Sequence, residues 1–246
     1  MSFVVDALCS RRREADHYRF FSIPSIPPGP EIFPHSDGVV AAPGPIGPKV
    51  RPTQVLVARP KASKQEVLGH AHFETLAEQS PVPIVVYNVP SRTVADISVE
   101  TLARVAKHPR IVGIKDATGN LARVTAQRLA CGKQFVQLSG NDDMALGFNA
   151  MGGVGCISVT ANVAPKLCSE FQQATREGRW EDALQLQDRL YPLHAALFSD
   201  ASPGPAKYAL TRVRSGFPAG LRLPLVEPSD GSKRAVDAAL EHAGLV

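Results

Sequence analysis

Long apolar runs are missing from this chain. No stretch approaches the ~20 residues needed to cross a bilayer, so no membrane association is expected. Residues 1–8 show no basic stretch followed by a long apolar one, which speaks against a secretory leader. Cysteine is scarce. Cys9, Cys131, Cys156 and Cys168 form neither a C-x-x-C pair nor a zinc spacing, and three stand in apolar contexts. They read as small buried hydrophobes in a reducing compartment, which makes the cytoplasm the expected location. No G-x-G-x-x-G follows a strand-like run, which counts against a dinucleotide cofactor. Basic residues load the first quarter, from Arg11, Arg12 and Arg13 to Arg59, Lys61 and Lys64, within a net charge of +4. A nucleic-acid reader would interleave them with exposed aromatics or carry a known module; neither is visible, so no nucleic-acid partner is expected.

What is present falls into two unlike parts. Before residue 60, proline punctuates almost every window: Pro24, Pro27, Pro28, Pro30, Pro34, Pro43, Pro45, Pro48, Pro52 and Pro60. Proline has no N–H to donate and blocks helix interiors, so residues 1–53 are expected to be irregular. The strand-like runs there are 54–58 (QVLVA) and, more weakly, 38–41.

From about residue 65 the pattern becomes strands alternating with amphipathic helices. Phe73, Leu76 and Ala77 share one helical face and lead to the run 83–87 (PIVVY), short and β-branched like a strand buried on both faces. Ser98 can cap a helix bearing Leu102 and Val105, and a strand follows at 111–115 (IVGIK). Asn120 can cap a helix with Leu121, Val124 and Leu129, ended by Gly132. Further strands are expected at 135–139 and 155–159, with helices at 142–150, from Pro165, and at 180–198, 205–215 and 232–242. Strand and helix alternating four times implies parallel strands with right-handed crossovers. Four units make half of an eight-fold barrel or most of an open doubly wound sheet.

In such folds chemistry gathers at the carboxyl ends of the strands. Those ends read Tyr87-Asn88-Val89-Pro90-Ser91-Arg92, Lys115-Asp116-Ala117-Thr118, Ser139-Gly140-Asn141-Asp142 and Ile157-Ser158-Val159-Thr160. Lys115 closes an apolar strand. An amine is nucleophilic only when neutral; lowering a lysine pKa by about three units takes about 4 kcal/mol, which an enclosed strand end can supply. The free amine can then form an imine with a carbonyl substrate. The plainer alternatives are a lysine reaching into solvent or pairing with Asp116. Tyr87 ends the strand one unit earlier, where its phenol could relay protons or merely sit at a wet rim. Arg92 offers a fork for a carboxylate, or else is a solvated loop residue.

The stretches YNVPSRT, GIKDATG, LSGNDD and GGVGCISVTANVAP, in this order and spacing, resemble the dihydrodipicolinate synthase family of Schiff-base (class I) pyruvate aldolases, over residues 65–246. The resemblance implies an α/β fold, a (β/α)8 TIM barrel whose N-terminal strands are missing or aberrant here, with a C-terminal helical segment. It divides the chain into an irregular 1–53, barrel strands four to eight in 54–198, and helices packed on the barrel in 199–246. It implies condensation of pyruvate with L-aspartate 4-semialdehyde on the way to lysine, by a homotetramer. Lys115 would carry the imine and Tyr87 relay protons. Arg92 would hold the semialdehyde carboxylate, and the Ile157 backbone would lie against pyruvate. Gly140 and Asn141 would line the pocket, with asparagine where the family usually carries an acid. No metal or organic cofactor is expected, because the lysine itself supplies the electron sink.

The chain departs from the family before residue 65. The G-T-T-G-E motif, whose threonines hold pyruvate's carboxylate, is absent, as is the tyrosine pair ahead of the first helix, where Arg59-Pro60-Lys61 stands. A reading-frame error or wrong start in the deduced sequence is the expected cause, and resequencing the gene tests it. Two rival readings remain at this point: an N-acetylneuraminate lyase-like aldolase, which shares the tyrosine and lysine but differs in the Arg92 turn, and an inactive barrel fragment acting as an assembly module. His70, His72 and Glu74 could suggest a metal, but the two histidines fall on different helical faces.

Overall fold

The computed structural model describes residues 18–23, 53–58 and 66–246. The other residues, which include most of the proline-rich segment and the weak strand expected at 38–41, lie outside the described part. Within the segment expected to be irregular, one strand is described, β1 (Tyr18–Ile23). It pairs antiparallel with β2 (Thr53–Ala58). The β-branched and aromatic content of YRFFSI is the signal that the proline count overshadowed.

The chain divides into two compact units, Met1–Ile157 and Ser158–Val246. The first is built on one five-stranded sheet in sequence order. After β2 come helix α1 (Glu66–Gln79), strand β3 (Ile84–Asn88), the short helix α2 (Pro90–Thr93) and helix α3 (Val99–Val105). Strand β4 (Ile111–Asp116), helix α4 (Ala122–Cys131), strand β5 (Val136–Ser139) and helix α5 (Ala145–Ala150) follow. Strands β2 to β5 are all parallel. Parallel neighbours need a crossover on one face of the sheet, and the helices supply it.

The two faces of the sheet differ. On the helix side, Ile84, Val86, Ile111 and Ile114 pack with Phe73, Ala77, Leu102 and Val105 in one buried cluster. On the other side, Val85 and Leu138 form a smaller cluster with Tyr87, Val112, Val136 and Ile157 against it. Side chains alternate along a strand, so a run that is apolar on both faces is what two covered faces require.

The local signals mostly locate the elements. Ser98 accepts a hydrogen bond from the Thr101 amide at 3.1 Å, the cap expected for α3. In α4 the apolar residues do not share one face. Val124 is buried but Leu129 is 81% exposed, and Gln127 is wholly buried instead. Leu129 stands five residues after Val124, a turn of about 140° around a helix axis, whereas Gln127 at i+3 shares its face. The strand expected at 155–159 reduces to a single parallel bridge between Cys156 and Ser139. The Ser139 amide donates to the Gly155 carbonyl and the Ile157 amide to the Ser139 carbonyl, after which a 3-10 turn at Thr160–Asn162 ends the extended run.

The second unit is helical: α6 (Pro165–Arg176), α7 (Trp180–Ala196), α8 (Gly204–Val213) and α9 (Asp230–His242). Pro165 opens α6, as proline does in first turns. Leu167, Phe171 and Ala174 of α6 and Leu190 and Leu193 of α7 are buried, whereas Trp180 and Leu184 stay nearly half exposed. The apolar residues of α7 therefore divide between core and surface. Buried His194 bonds Thr160 Oγ1 at 2.7 Å through Nδ1. Among the described residues no helix is long and apolar enough to cross a membrane.

Candidate functional site

Register places the two principal candidates side by side. Tyr87 pairs with Lys115 across β3 and β4, and Asn88 with Asp116 one position further. The Lys115 amine stands 4.1 Å from the centroid of the Tyr87 ring. Both side chains are half-buried at the carboxyl ends of their strands. They leave the sheet on the face that carries Val85 and Leu138, where Tyr87 and Ile157 pack.

Two glycines permit this closeness. A Cβ on Gly113 would come within 2.5 Å of the Val136 carbonyl oxygen, so β4 and β5 approach more closely there than a side chain allows. A Cβ on Gly140 would come within 2.6 Å of the Ala117 Cβ. Gly140 donates its amide to the Asp116 carbonyl at 2.7 Å, and Ala117 donates to the Asn88 carbonyl at 2.9 Å. The backbones after β3, β4 and β5 are thus tied in series just past the lysine.

Asn141 follows at the end of β5, where its amide donates to Ser139 Oγ at 3.1 Å and its carbonyl accepts from that hydroxyl. Its side-chain oxygen is buried without a hydrogen-bond partner among the described residues. The Ile157 backbone is fixed by its bond to Ser139. Arg92 lies in α2, the turn that Pro90 opens after β3, and its side chain is exposed. The turn is held by Thr93, whose hydroxyl donates to the Val89 and Ala95 carbonyls. Tyr87, Lys115, Ile157, Gly140 and Asn141 therefore gather at neighbouring strand ends, and Arg92 stands on the adjoining turn.

Asp116 is not the lysine's counter-ion. As the next residue in the strand it points to the opposite face, where it is buried. Thr118 donates to it through both its amide and its hydroxyl, Arg123 at 3.2 Å and Gln127 at 2.7 Å. Sequence reasoning missed this cluster. The available signal was Gln127, a polar residue on the buried face of α4.

The remaining candidates fall away from the chemistry. His70 pairs with Glu74 at 3.0 Å and His72 makes an edge contact with Phe73. Among the described residues no group of three metal-ligating side chains gathers. Burial pushes the Cys131 thiol up to about 11, which leaves it a poor nucleophile.

A model of the dihydrodipicolinate synthetase family matches residues 60–243. The chain is 67% identical over 192 residues to a 4-hydroxy-tetrahydrodipicolinate synthase of Zymomonas mobilis, covering 78% of this chain and 66% of that protein. It is 68% identical over 175 residues to one from Rhizorhabdus wittichii, covering 71% of this chain and 60% of that protein. Among solved structures, dihydrodipicolinate synthase from Thermotoga maritima superposes with a TM-score of 0.72 at 33% identity, covering 78% of this chain and 66% of that one. The chloride-inhibited enzyme of Acinetobacter baumannii, complexed with pyruvate, gives 0.73 at 35% identity over the same shares. The chain thus spans less than two thirds of the length of these curated relatives.

Proposed function

The chain belongs to the dihydrodipicolinate synthetase family, and from that premise we propose that it is a 4-hydroxy-tetrahydrodipicolinate synthase, joining pyruvate to L-aspartate 4-semialdehyde through an imine on Lys115. The observation that carries the reading is the Lys115 amine over the Tyr87 ring at adjacent strand ends.

The neutral amine attacks the ketone carbon of pyruvate, and water leaves to give the imine. Loss of a methyl proton yields an enamine, whose carbon adds to the aldehyde of the second substrate. The amino group of that substrate then attacks the imine carbon, which closes the ring and frees the lysine. Each step moves a proton to or from oxygen or nitrogen, and the Tyr87 phenol is the group beside the amine suited to carry it. Arg92 binds the semialdehyde carboxylate with its two-pronged guanidinium. Gly140, Asn141 and the Ile157 backbone line the pocket, with the unpartnered Asn141 oxygen as an acceptor.

The parallel run from β2 to β5 and the Cys156 bridge support a reading in which residues 54–198 supply strands four to eight of a (β/α)8 barrel, with 199–246 a helical C-terminal segment. Family resemblance further supports a cytoplasmic homotetramer that uses no metal or organic cofactor. Borohydride added with pyruvate tests the function. One reduced pyruvyl group should appear on Lys115 by intact mass and peptide mapping. An adduct confined to another lysine overturns the assignment.

A further inference from the structure

Behind the sheet, on the face away from the amine, lies a chain of polar contacts that the proposed chemistry does not use. Arg123 of α4 is its hub. Its Nε donates to buried Asp116 at 3.2 Å, a second nitrogen donates to the Ile97 carbonyl at 2.6 Å, and a third stands 3.7 Å from Asp96. Asn88, wholly buried at the end of β3, closes the ring. Its amide group donates to Asp96 at 2.8 Å, and its oxygen accepts from the Ile97 amide at 3.2 Å. Gln127 and Thr118 complete the shell around Asp116.

These contacts join two pieces of chain. One is the strand end that carries Lys115, immediately before Asp116. The other is the loop between Asn88 and Ser98, which carries Arg92 and returns through Asp96 and Ile97. We propose that Arg123 is a positioning residue that couples them: through Asp116 it fixes the strand end that aims Lys115, and through Asp96 and Ile97 it fixes the loop that aims Arg92. The inference rests on the imine reading of Lys115. The chemistry requires it, because the acceptor held by Arg92 must meet an enamine held by Lys115, and a misplacement of about 1 Å can cost about a hundredfold in rate. A planar fork with donors on several edges suits one residue to hold two carboxylates and a carbonyl together, which a lysine could not reproduce.

The two arms of the network should separate by experiment. Asp96 has the more exposed of the two carboxylates and ties the loop to Asn88 and Arg123 with no bond to Asp116 or its strand, so Asp96→Asn should keep the fold. It should raise the KM for L-aspartate 4-semialdehyde about tenfold and leave the rate of pyruvate trapping by borohydride within about twofold. Asp116→Asn should slow trapping at least about tenfold, and Arg123→Gln should impair both. Arg128→Gln is the control: it removes an arginine of the same helix whose side chain, among the described residues, bonds the Met151 carbonyl and no member of the network. It should lower Tm without separating the two readouts. If all the network variants reduce both readouts together, in proportion to lost Tm, or change neither, the positioning role is overturned.

Absence of a pyruvate adduct on wild-type Lys115 would overturn the functional reading instead. The network is then judged in the full chain by two measurements that need no pyruvate. Acetic anhydride labelling of Lys115 relative to Lys107 should change at least about threefold in Asp116→Asn and Arg123→Gln. Amide exchange of the 90–97 segment should quicken in Asp96→Asn and Arg123→Gln. If neither changes, the positioning claim falls as well.

Discussion

At the scale of single residues, the proposed reading makes Lys115 the nucleophile and Tyr87, in contact with it, the proton carrier. Lys115→Ala should abolish pyruvate trapping. Tyr87→Phe should slow turnover by about 10²–10⁴-fold while leaving slow trapping measurable, because a relay can be replaced by water and a nucleophile cannot. Equal loss in both variants would assign Tyr87 a structural part. For Arg92, exposed on its turn, the proposed reading implies that truncation to alanine removes a charged hydrogen bond of about 1.5–3 kcal/mol. We expect the semialdehyde KM to rise by one to two orders of magnitude with trapping by pyruvate unchanged; parallel loss would place the arginine on pyruvate. Next to it, Val94 adopts φ 56° and ψ 17° while 94% exposed. A β-branched residue there carries about 1–2 kcal/mol of strain, and glycine gives back roughly 0.5–1 kcal/mol through the unfolded chain. Val94→Gly should therefore raise stability by about 0.5–1 kcal/mol, and a fall in Tm would show that the strain estimate is wrong.

Among the elements, the approach of β4 to β5 depends on Gly113, where an added Cβ would meet the Val136 carbonyl oxygen and Cβ. Both atoms belong to the neighbouring strand, so relief requires moving that strand. Gly113→Ala should destabilise by about 1–3 kcal/mol or more and slow trapping as well, since Lys115 lies two residues on. Chemical denaturation with a trapping assay on the same preparation measures both effects, and unchanged values would show that the sheet can open there freely. Helix α4 shows where local reading stops. The helical period by itself puts Gln127 on the face of Val124 and Leu129 off it. What it leaves open is the partner: that Gln127 meets the buried carboxylate of Asp116 depends on how α4 lies against the sheet.

For the whole molecule, the sequence before residue 65 carries no G-T-T-G-E motif. By family resemblance its threonines would hold the carboxylate of pyruvate, and no such motif supplies their hydroxyl donors here. Loss of two hydrogen bonds to a charged group, about 1.5–3 kcal/mol each, predicts turnover lower by about 10²–10⁴-fold than in the same chain with residues 1–64 replaced by a family-type segment. The steady-state condensation rate of the two proteins checks this. Comparable turnover would show that residues 1–64 provide those donors in another form.

The sequence by itself determined most of the order of strands and helices from residue 66 onward and which reactive side chains stand at the strand ends. Both are local: β-branched runs, caps such as Ser98 and the contiguous stretches YNVPSRT and GIKDATG act over a few residues. It also determined that Tyr87 and Lys115 could share a face, because each stands one residue before the end of its strand. That they lie 4.1 Å apart was decided by the parallel register of β3 and β4, which contains an irregularity between Ile84 and Val85. One residue of slip would have sent one of the pair to the helix side. Strand alternation turned Asp116 away from the lysine, but tertiary structure alone joined it to Arg123 and, through Arg123, to Asp96 and Asn88. These contacts span residues 88 to 123, and no periodic signal encodes them, because hydrogen bonds between distant segments depend on how helix α4 lies against the sheet.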